Sequence, residues 1–375
     1  MRAVWAAVLF VPLLVVVPLG EAAAQSLPVV GTELLLNSEV VSDSEVSEGD
    51  GTLSWKLSLD APAPSGGLAV TYSVATLSGV VGASQATSGV DFEALTGSVS
   101  FDEGDSSETV SIVLTDDTEV EGTEYIYLRV EPSTDYTRAV TSAISVWIAD
   151  DDVPAPVVVA ADWGLTPSGL SDGDRFRLLF VSSTKRDASS TDIGVYNTFV
   201  QDRAAAGHAD IRSHSSGFRA LVSTEAKWAR DNAHVNGAGA PVYWLGGAKA
   251  ADDYADFVDN TWDSLASVDE SGNSISATTS KNLKTASIGD LDSSDSGIWT
   301  GSLASGRRKD SRYLGGALLV EVAFLGTSGS GALKNDSGPL ASGFSDLKAN
   351  SHHLYGLSPL FVVGTPSSDV GVSFG

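Results

Sequence analysis

The 375-residue chain has no cysteine and a single methionine. Without cysteine, no disulfide can brace it and no thiolate can bind a metal or act as a nucleophile. Each domain must therefore rely on its own apolar core. Basic residues are also scarce: 22 Lys and Arg stand against 48 Asp and Glu, a formal net charge of −26. That balance excludes a nucleic-acid partner, because phosphates are met by Lys and Arg. Beyond Leu19 no segment approaches about 18 consecutive apolar residues, so the mature chain has no transmembrane segment.

The first residues address the compartment. Arg2 precedes an apolar run from Ala3 to Leu19, which is followed by Gly20, Glu21 and Ala22-Ala23-Ala24. A positive start, an apolar core and an A-x-A end describe a secretory signal peptide over residues 1–24. Its short run, with Pro12 and Pro18 inside it, argues against a retained anchor. The mature protein is expected to be exported: secreted, periplasmic or on the cell surface.

The charge is distributed unevenly. Ser26 to Val157 holds 23 acidic residues against Lys56, Arg129 and Arg138, a net charge of −20. The rest of the mature chain has 24 acidic and 18 basic residues. Self-repulsion on that scale destabilises a compact domain unless cations are taken up. The composition points to a divalent metal or a salty habitat.

From Leu34 to Ala149 the pattern has period two. Leu53–Leu59, Ala69–Val74, Gly97–Phe101, Thr109–Leu114, Tyr125–Val130 and Ala143–Ile148 alternate apolar with polar residues between Gly, Pro, Asp and Ser. Half-buried antiparallel strands read this way, and several within this length predict an all-β sandwich. Asp150 to Pro156 closes the unit, and residues 153–160 read as a short stiff linker. The second half predicts strands at Phe176–Val181, Phe218–Val222 and Val242–Leu245. Helices are expected over Asp192–Ala206, where Ile193, Tyr196, Phe199 and Val200 fall at helical spacing, and over Thr224–Asn232. Leu314–Phe324 and Leu354–Val363 are further apolar segments. Ser267–Gly297 and Thr327–Asn350 are long Gly/Ser/Asp-rich loops, and residues 365–375 read as a flexible tail.

Acidic residues gather at the predicted strand ends. Glu48 precedes a strand, Asp91 sits in Gly89-Val-Asp-Phe92, and Asp116, Asp117, Glu121 and Glu124 occupy one turn. Asp150, Asp151 and Asp152 follow the last strand. Ca²⁺ takes about six to eight oxygens, several from carboxylates. Held together, these carboxylates would repel one another strongly without a cation between them. Each run taken singly is an ordinary solvated loop.

The order Glu48-Gly, Ser88-Gly-Val-Asp91-Phe, Gly97 to Gly104, Asp116-Asp…Glu121…Glu124 and Ile148 to Asp152 resembles the Calx-β domain over about residues 28–152. The resemblance implies an immunoglobulin-like β-sandwich with Ca²⁺ at one end. Its ligands would be Glu48, Asp91, Asp116, Asp117, Glu121, Glu124, Asp150, Asp151 and Asp152. Residues 161–364 show a fainter likeness. Phe218-Arg-Ala, Pro241-Val-Tyr, Trp262-Asp-Ser, Ile298-Trp-Thr-Gly followed by Gly306-Arg-Arg, and His352-His-Leu-Tyr355 resemble endostatin in order. That implies an α+β C-type-lectin-like domain with long loops. Endostatin's disulfides cannot form without cysteine, its zinc-binding histidines have no counterpart, and its basic surface is replaced by an acidic one. Only the fold carries over.

Catalytic motifs do not fall in suitable contexts, and the chain reads as a non-enzyme. Among His208, His214, His234, His352 and His353 there is no H-E-x-x-H. Gly169-Leu-Ser-Asp-Gly173 spells G-x-S-x-G, but it precedes a strand, whereas a nucleophile elbow follows one. Of the adjacent His352 and His353, a strand would turn one inward to a structural role. Trp244, Trp262 and Trp299 read as packing residues rather than sugar platforms. Asp252, Asp256, Asp259 and Asp263 would share a face if residues 250–263 were helical, as a solvated face or a further cation site. Asp290, Asp292 and Asp295 form a loop without full EF-hand spacing. The sequence thus predicts a calcium-binding adhesion or recognition protein with an extracellular glycan or protein ligand. A carbohydrate-binding lectin is the alternative, and an extracellular hydrolase the third reading.

Overall fold

A computed structural model describes residues 26–41, 45–78, 80, 82–235, 239–253, 256–257, 262–264, 268–274, 297–299, 314, 319–324 and 344–364. The signal-peptide segment, the tail, Asp259, the Asp290–Asp295 loop and Gly306 to Arg308 lie outside the described residues.

Among the described residues eleven strands occupy the first half: β1 Val29–Leu36, β2 Glu39–Val40, β3 Glu45–Ser47, β4 Thr52–Leu59, β5 Leu68–Val74, β6 Ser84–Gln85, β7 Ser98–Phe101, β8 Ser107–Val113, β9 Glu124–Val130, β10 Thr137–Arg138 and β11 Ala143–Ala149. They form two sheets. One runs β10-β1-β4-β8 with β2 on β1, the other β3-β11-β9-β5-β7 with β6 on β9. The alternation in β4 explains the packing: Leu53, Trp55, Leu57 and Leu59 are buried while the residues between them are not. Trp55 crosses the sandwich to meet Tyr72 of β5 edge-on, ring centroids 5.2 Å apart. The core built around them draws on residues from Val30 to Ile148. A β-rich sandwich is therefore present as the alternation predicts. β1 extends the strand region upstream of Leu34, because pairing with all of β4 from Leu53 to Leu59 completes its hydrogen bonds.

The second half has its own buried cluster, from Val159 to Val363. Its strands are β12 Val157–Val159, β13 Arg175–Val181, β14 Arg186–Asp187, β15 Arg219–Ala220, β16 Val242–Trp244, β17 Lys249–Ala251, β18 Gly297–Trp299, β19 Leu319–Phe324, β20 Phe344–Leu347, β21 Ser351–His352, β22 Tyr355–Leu357 and β23 Phe361–Val363. The main sheet runs β12-β23-β13-β16-β17, with β22 joining β13 to β15. Helix α1 (Ile193–Ala206) starts where expected, because Asp192 caps it: Oδ1 accepts from Gly194 N at 2.8 Å. It buries Tyr196, Val200 and Ala204. Helices α2 (Ala209–Arg212) and α3 (Ala229–Ala233) are short.

Three expectations need correction, the first being the loop read over Thr327–Asn350, which holds β20 because Phe344–Leu347 pairs with β19. The helix expected over Thr224–Asn232 begins only at Ala229. Thr224 N donates to Lys227 O at 2.9 Å in a turn, and Thr224 bridges Leu314 instead of starting a helix. The strand expected over Phe218–Val222 shrinks to Arg219–Ala220, the two residues that pair with β22. No helix among the described residues is long and apolar enough to cross a membrane.

Candidate metal centre

Strand register carries five acidic segments to one end of the sandwich. β3 pairs in parallel with β11, Ala149 opposite Ser47, so Glu48 and Asp150 leave their strands side by side. β9 runs antiparallel to β11 with Glu124 opposite Ile148, which starts β9 at the same end. β4 and β8 pair Thr52 with Val113, and Leu114 N donates to Gly51 O at 2.8 Å. The Asp116-Asp117 loop is thereby brought over the turn that holds Glu48. Thr115 N donates to Asp91 O at 3.0 Å, which adds the Asp91 turn.

The oxygens fall into two groups that share this end. Glu48 is grouped with Asp116 and Asp151, and again with Asp150 and Asp152; Asp91, Glu121 and Glu124 form the other group, ligand oxygens in each set lying within 4.8 Å of one another. Asp150 joins the groups, its Oδ2 accepting from Glu121 N at 2.7 Å and its Oδ1 from Asp152 N at 2.8 Å. Eight of the nine carboxylates expected from sequence are placed in these groups. Asp117 is not among them; its Oδ1 accepts from Glu119 N at 2.7 Å, and its charge acts on Glu48, Glu121 and Asp152.

Burial and mutual repulsion disfavour the ionised form of several of these carboxyls. Burial, then the charges of Asp150, Asp151, Asp152 and Asp117, push the Glu48 carboxyl up to about 8. Burial, a hydrogen bond with Asp91, and the charges of Asp91 and Glu121 push Glu124 up to about 8 as well. Glu121, Asp150 and Asp152 are raised, each first by burial. None of the nine carboxylates forms an ion pair with Lys or Arg among the described residues. Glu48 Oε1, Asp151 Oδ1 and Asp152 Oδ2 are buried with no hydrogen-bond partner. A buried carboxylate oxygen without a donor costs several kcal/mol unless a cation meets it.

Oxygen-only donors suit a hard cation. Two ligands on opposite sides of an ion bound at about 2.3–2.6 Å stand up to about 5 Å apart, which these sets satisfy. Zinc would demand nitrogen or sulfur that this end does not offer. A Cβ at Gly49 would sit 3.0 Å from Asp151 Oδ2, so a side chain there would press on that carboxylate.

Residues 40–152 match the family model of the Calx-beta domain. The first half carries a Calx-beta domain. Similar solved structures include the apo-form Calx CBD1 domain, 22% identical, over 34% of this chain and 100% of that one at TM-score 0.26. The calcium binding domain CBD12 of CALX1.1 is 21% identical over 38% of this chain and 60% of that one, TM-score 0.25. The Calx CBD2 domain is 13% identical over 32% and 86%, TM-score 0.24. No curated protein matches the chain.

Other sequence candidates fare differently. Asp252, Asp256 and Asp263 do approach one another, but not on a helix spanning residues 250–263, since Lys249–Ala251 is strand. Lys249 bonds Asp252 and lies 3.1 Å from Asp263 Oδ2, so an ammonium already supplies the positive charge. His352 and His353 are both buried, not one of them alone, and His353 Nδ1 meets Ser182 O. Ser171 lies in the turn before β13, its N–H bound to Asp174 Oδ2 at 2.7 Å, with no helix behind it. Trp244 and Trp262 are core residues, edge-on to each other at 5.8 Å; the Trp299 side chain lies outside the described residues.

Proposed function

We propose that this chain is an exported calcium-binding recognition protein. Ca²⁺ binds at the acidic end of the Calx-beta domain, coordinated by Glu48, Asp91, Asp116, Glu121, Glu124, Asp150, Asp151 and Asp152, with Asp117 adding to the field. The observation that carries this reading is Glu48, a buried carboxylate faced by aspartates and, among the described residues, by no ion-pairing Lys or Arg. Ca²⁺ there removes the mutual repulsion and ties together β3, β8, β9 and β11, which rigidifies the sandwich. The second half serves as a C-type-lectin-like module that presents its loops to an extracellular glycan or protein. We assign no catalytic step to the chain. His352 and His353 are buried, and Ser171 lies in a turn with no helix behind it, which supports that reading.

Calorimetric titration of Ca²⁺ into the whole protein tests the central claim, with melting followed in parallel. A ligand bound only by the fold stabilises it by about 2.7 kcal/mol at a hundredfold excess over Kd. No heat and no shift in Tm at millimolar Ca²⁺ would refute it. A glycan array read with and without EDTA tests the ligand of the second half.

A further inference from the structure

In so acidic a chain, Arg177 has an unusual setting. It stands on β13 and is only 3% exposed. Its Nη1 donates to Ala233 O at 3.0 Å and Ser358 O at 3.1 Å, and its Nη2 donates to His234 O. Its Nε is buried with no hydrogen-bond partner, and one Nη2 proton is unused by these bonds. No carboxylate pairs with Arg177 among the described residues. Burial alone lowers its pKa, to about 10. Carbonyl dipoles offset part of the charge, yet buried cations are ordinarily paired.

Beside it lies a cavity of about 100 Å³ whose lining includes the basic Arg177, Arg219 and His234 and the apolar Pro154, Pro359 and Leu360. Arg219 is half-buried and uses Nη1 on Ser216 O at 2.9 Å and Phe218 O at 3.1 Å. It too is perturbed only by burial. After burial, the charges of Lys227, Arg177 and Arg219 hold His234 down at about 4. Three basic side chains, Arg177, Arg219 and His234, therefore line the cavity and no acidic residue does, in a protein with more than twice as many acids as bases.

We propose that this cavity binds the carboxylate of a small organic anion, with the Arg177 and Arg219 guanidiniums as donors and Pro154, Pro359 and Leu360 against its short apolar stem. The planar fork of a guanidinium matches a carboxylate in two parallel bonds. The proline and leucine walls favour carbon over the further oxygens of sulfate or phosphate, which would lie there without donors. The cavity's size limits the stem to a few carbons. Pro154 comes from the segment joining the two halves, so an occupied cavity would also brace that connection.

The test uses the full-length protein in EDTA, which keeps it independent of the cation site. Sodium butyrate and, separately, sodium sulfate are titrated by calorimetry, with the His234 imidazole resonances followed by NMR. Butyrate is expected to bind at one site, shift the His234 resonances and exceed sulfate in affinity at least tenfold. Arg219→Gln, on a half-buried side chain, should weaken butyrate at least tenfold with Tm showing the fold retained; Arg177→Lys should do the same wherever it folds. Absence of heat and of any His234 shift at about 10 mM butyrate would overturn the proposal. Undiminished binding by Arg219→Gln, or sulfate binding as tightly as butyrate, would overturn it equally.

Discussion

Thr123 donates its hydroxyl to Asp231 Oδ1 at 2.9 Å and accepts from Arg230 Nη2 at 3.0 Å. Thr123 stands between Glu121 and Glu124 of the acidic end, whereas Arg230 and Asp231 belong to α3 of the second half. Arg230 also pairs with Glu45, the first residue of the strand that leads to Glu48. Trp228 packs on Trp147 of β11 with ring centroids 5.5 Å apart. The second half is thus joined to the Calx-beta domain at the end that gathers the carboxylates, and the charge of Asp231 reaches Asp150.

That junction should be expensive to break. Thr123→Val removes the hydroxyl from two buried polar groups and is expected to destabilise by about 1–3 kcal/mol. Arg230→Met leaves buried acid without its guanidinium and should cost about 3–5 kcal/mol. Calorimetric melting reads both. Wild-type melting of the two variants would mean that the contact contributes nothing.

Glu48→Gln separates repulsion from ligation. The amide keeps the shape and never ionises, so above about pH 4.5, where the wild type must hold a proton on Glu48 to fold, the metal-free variant should melt above the metal-free wild type. Its Ca²⁺ affinity should fall at least tenfold, about 1.4 kcal/mol or more. A variant that binds Ca²⁺ like the wild type would remove Glu48 from the site.

Burial, with the same repulsion, sets a pH dependence. Burial and neighbouring carboxylates push Glu48 and Glu124 up to about 8 in the fold, against 4.5 for a free glutamate. A carboxyl whose pKa rises on folding favours the fold while it holds its proton. This contribution is complete below about pH 4.5 and is lost as pH climbs through about 8. The Tm of the EDTA-treated protein should therefore drop across that window, and Ca²⁺ affinity should rise across it as protons cease to compete. A flat Tm from about pH 5 to 8.5 would contradict the burial of these groups.

Asp256→Asn should leave the Ca²⁺ titration unchanged. Lys249 already lies among Asp252, Asp256 and Asp263 as their counter-charge. A lost binding event in this variant would show that a divalent ion displaces the ammonium.

The sequence by itself determined the β-sandwich and where its acids would stand. Alternation at β4, β5, β8, β9 and β11 is a local property, written in neighbours two residues apart, and acidic turns mark the strand ends between them. It also determined α1, because Asp192 and the spacing of Tyr196 and Val200 act within a few turns of helix. Only the tertiary structure decided the rest. The division of the carboxylates between the Glu48 and Asp91 groups depends on the register of β3 with β11 and of β4 with β8, which joins residues about 60 to 100 positions apart. The short α3 follows from burial of Thr224 and Trp228, which overrides helical spacing. The ammonium at Asp252, the Arg230 junction and the uncompensated Arg177 arise for one reason: charge is counted along a sequence, but it is paired or left unpaired in space.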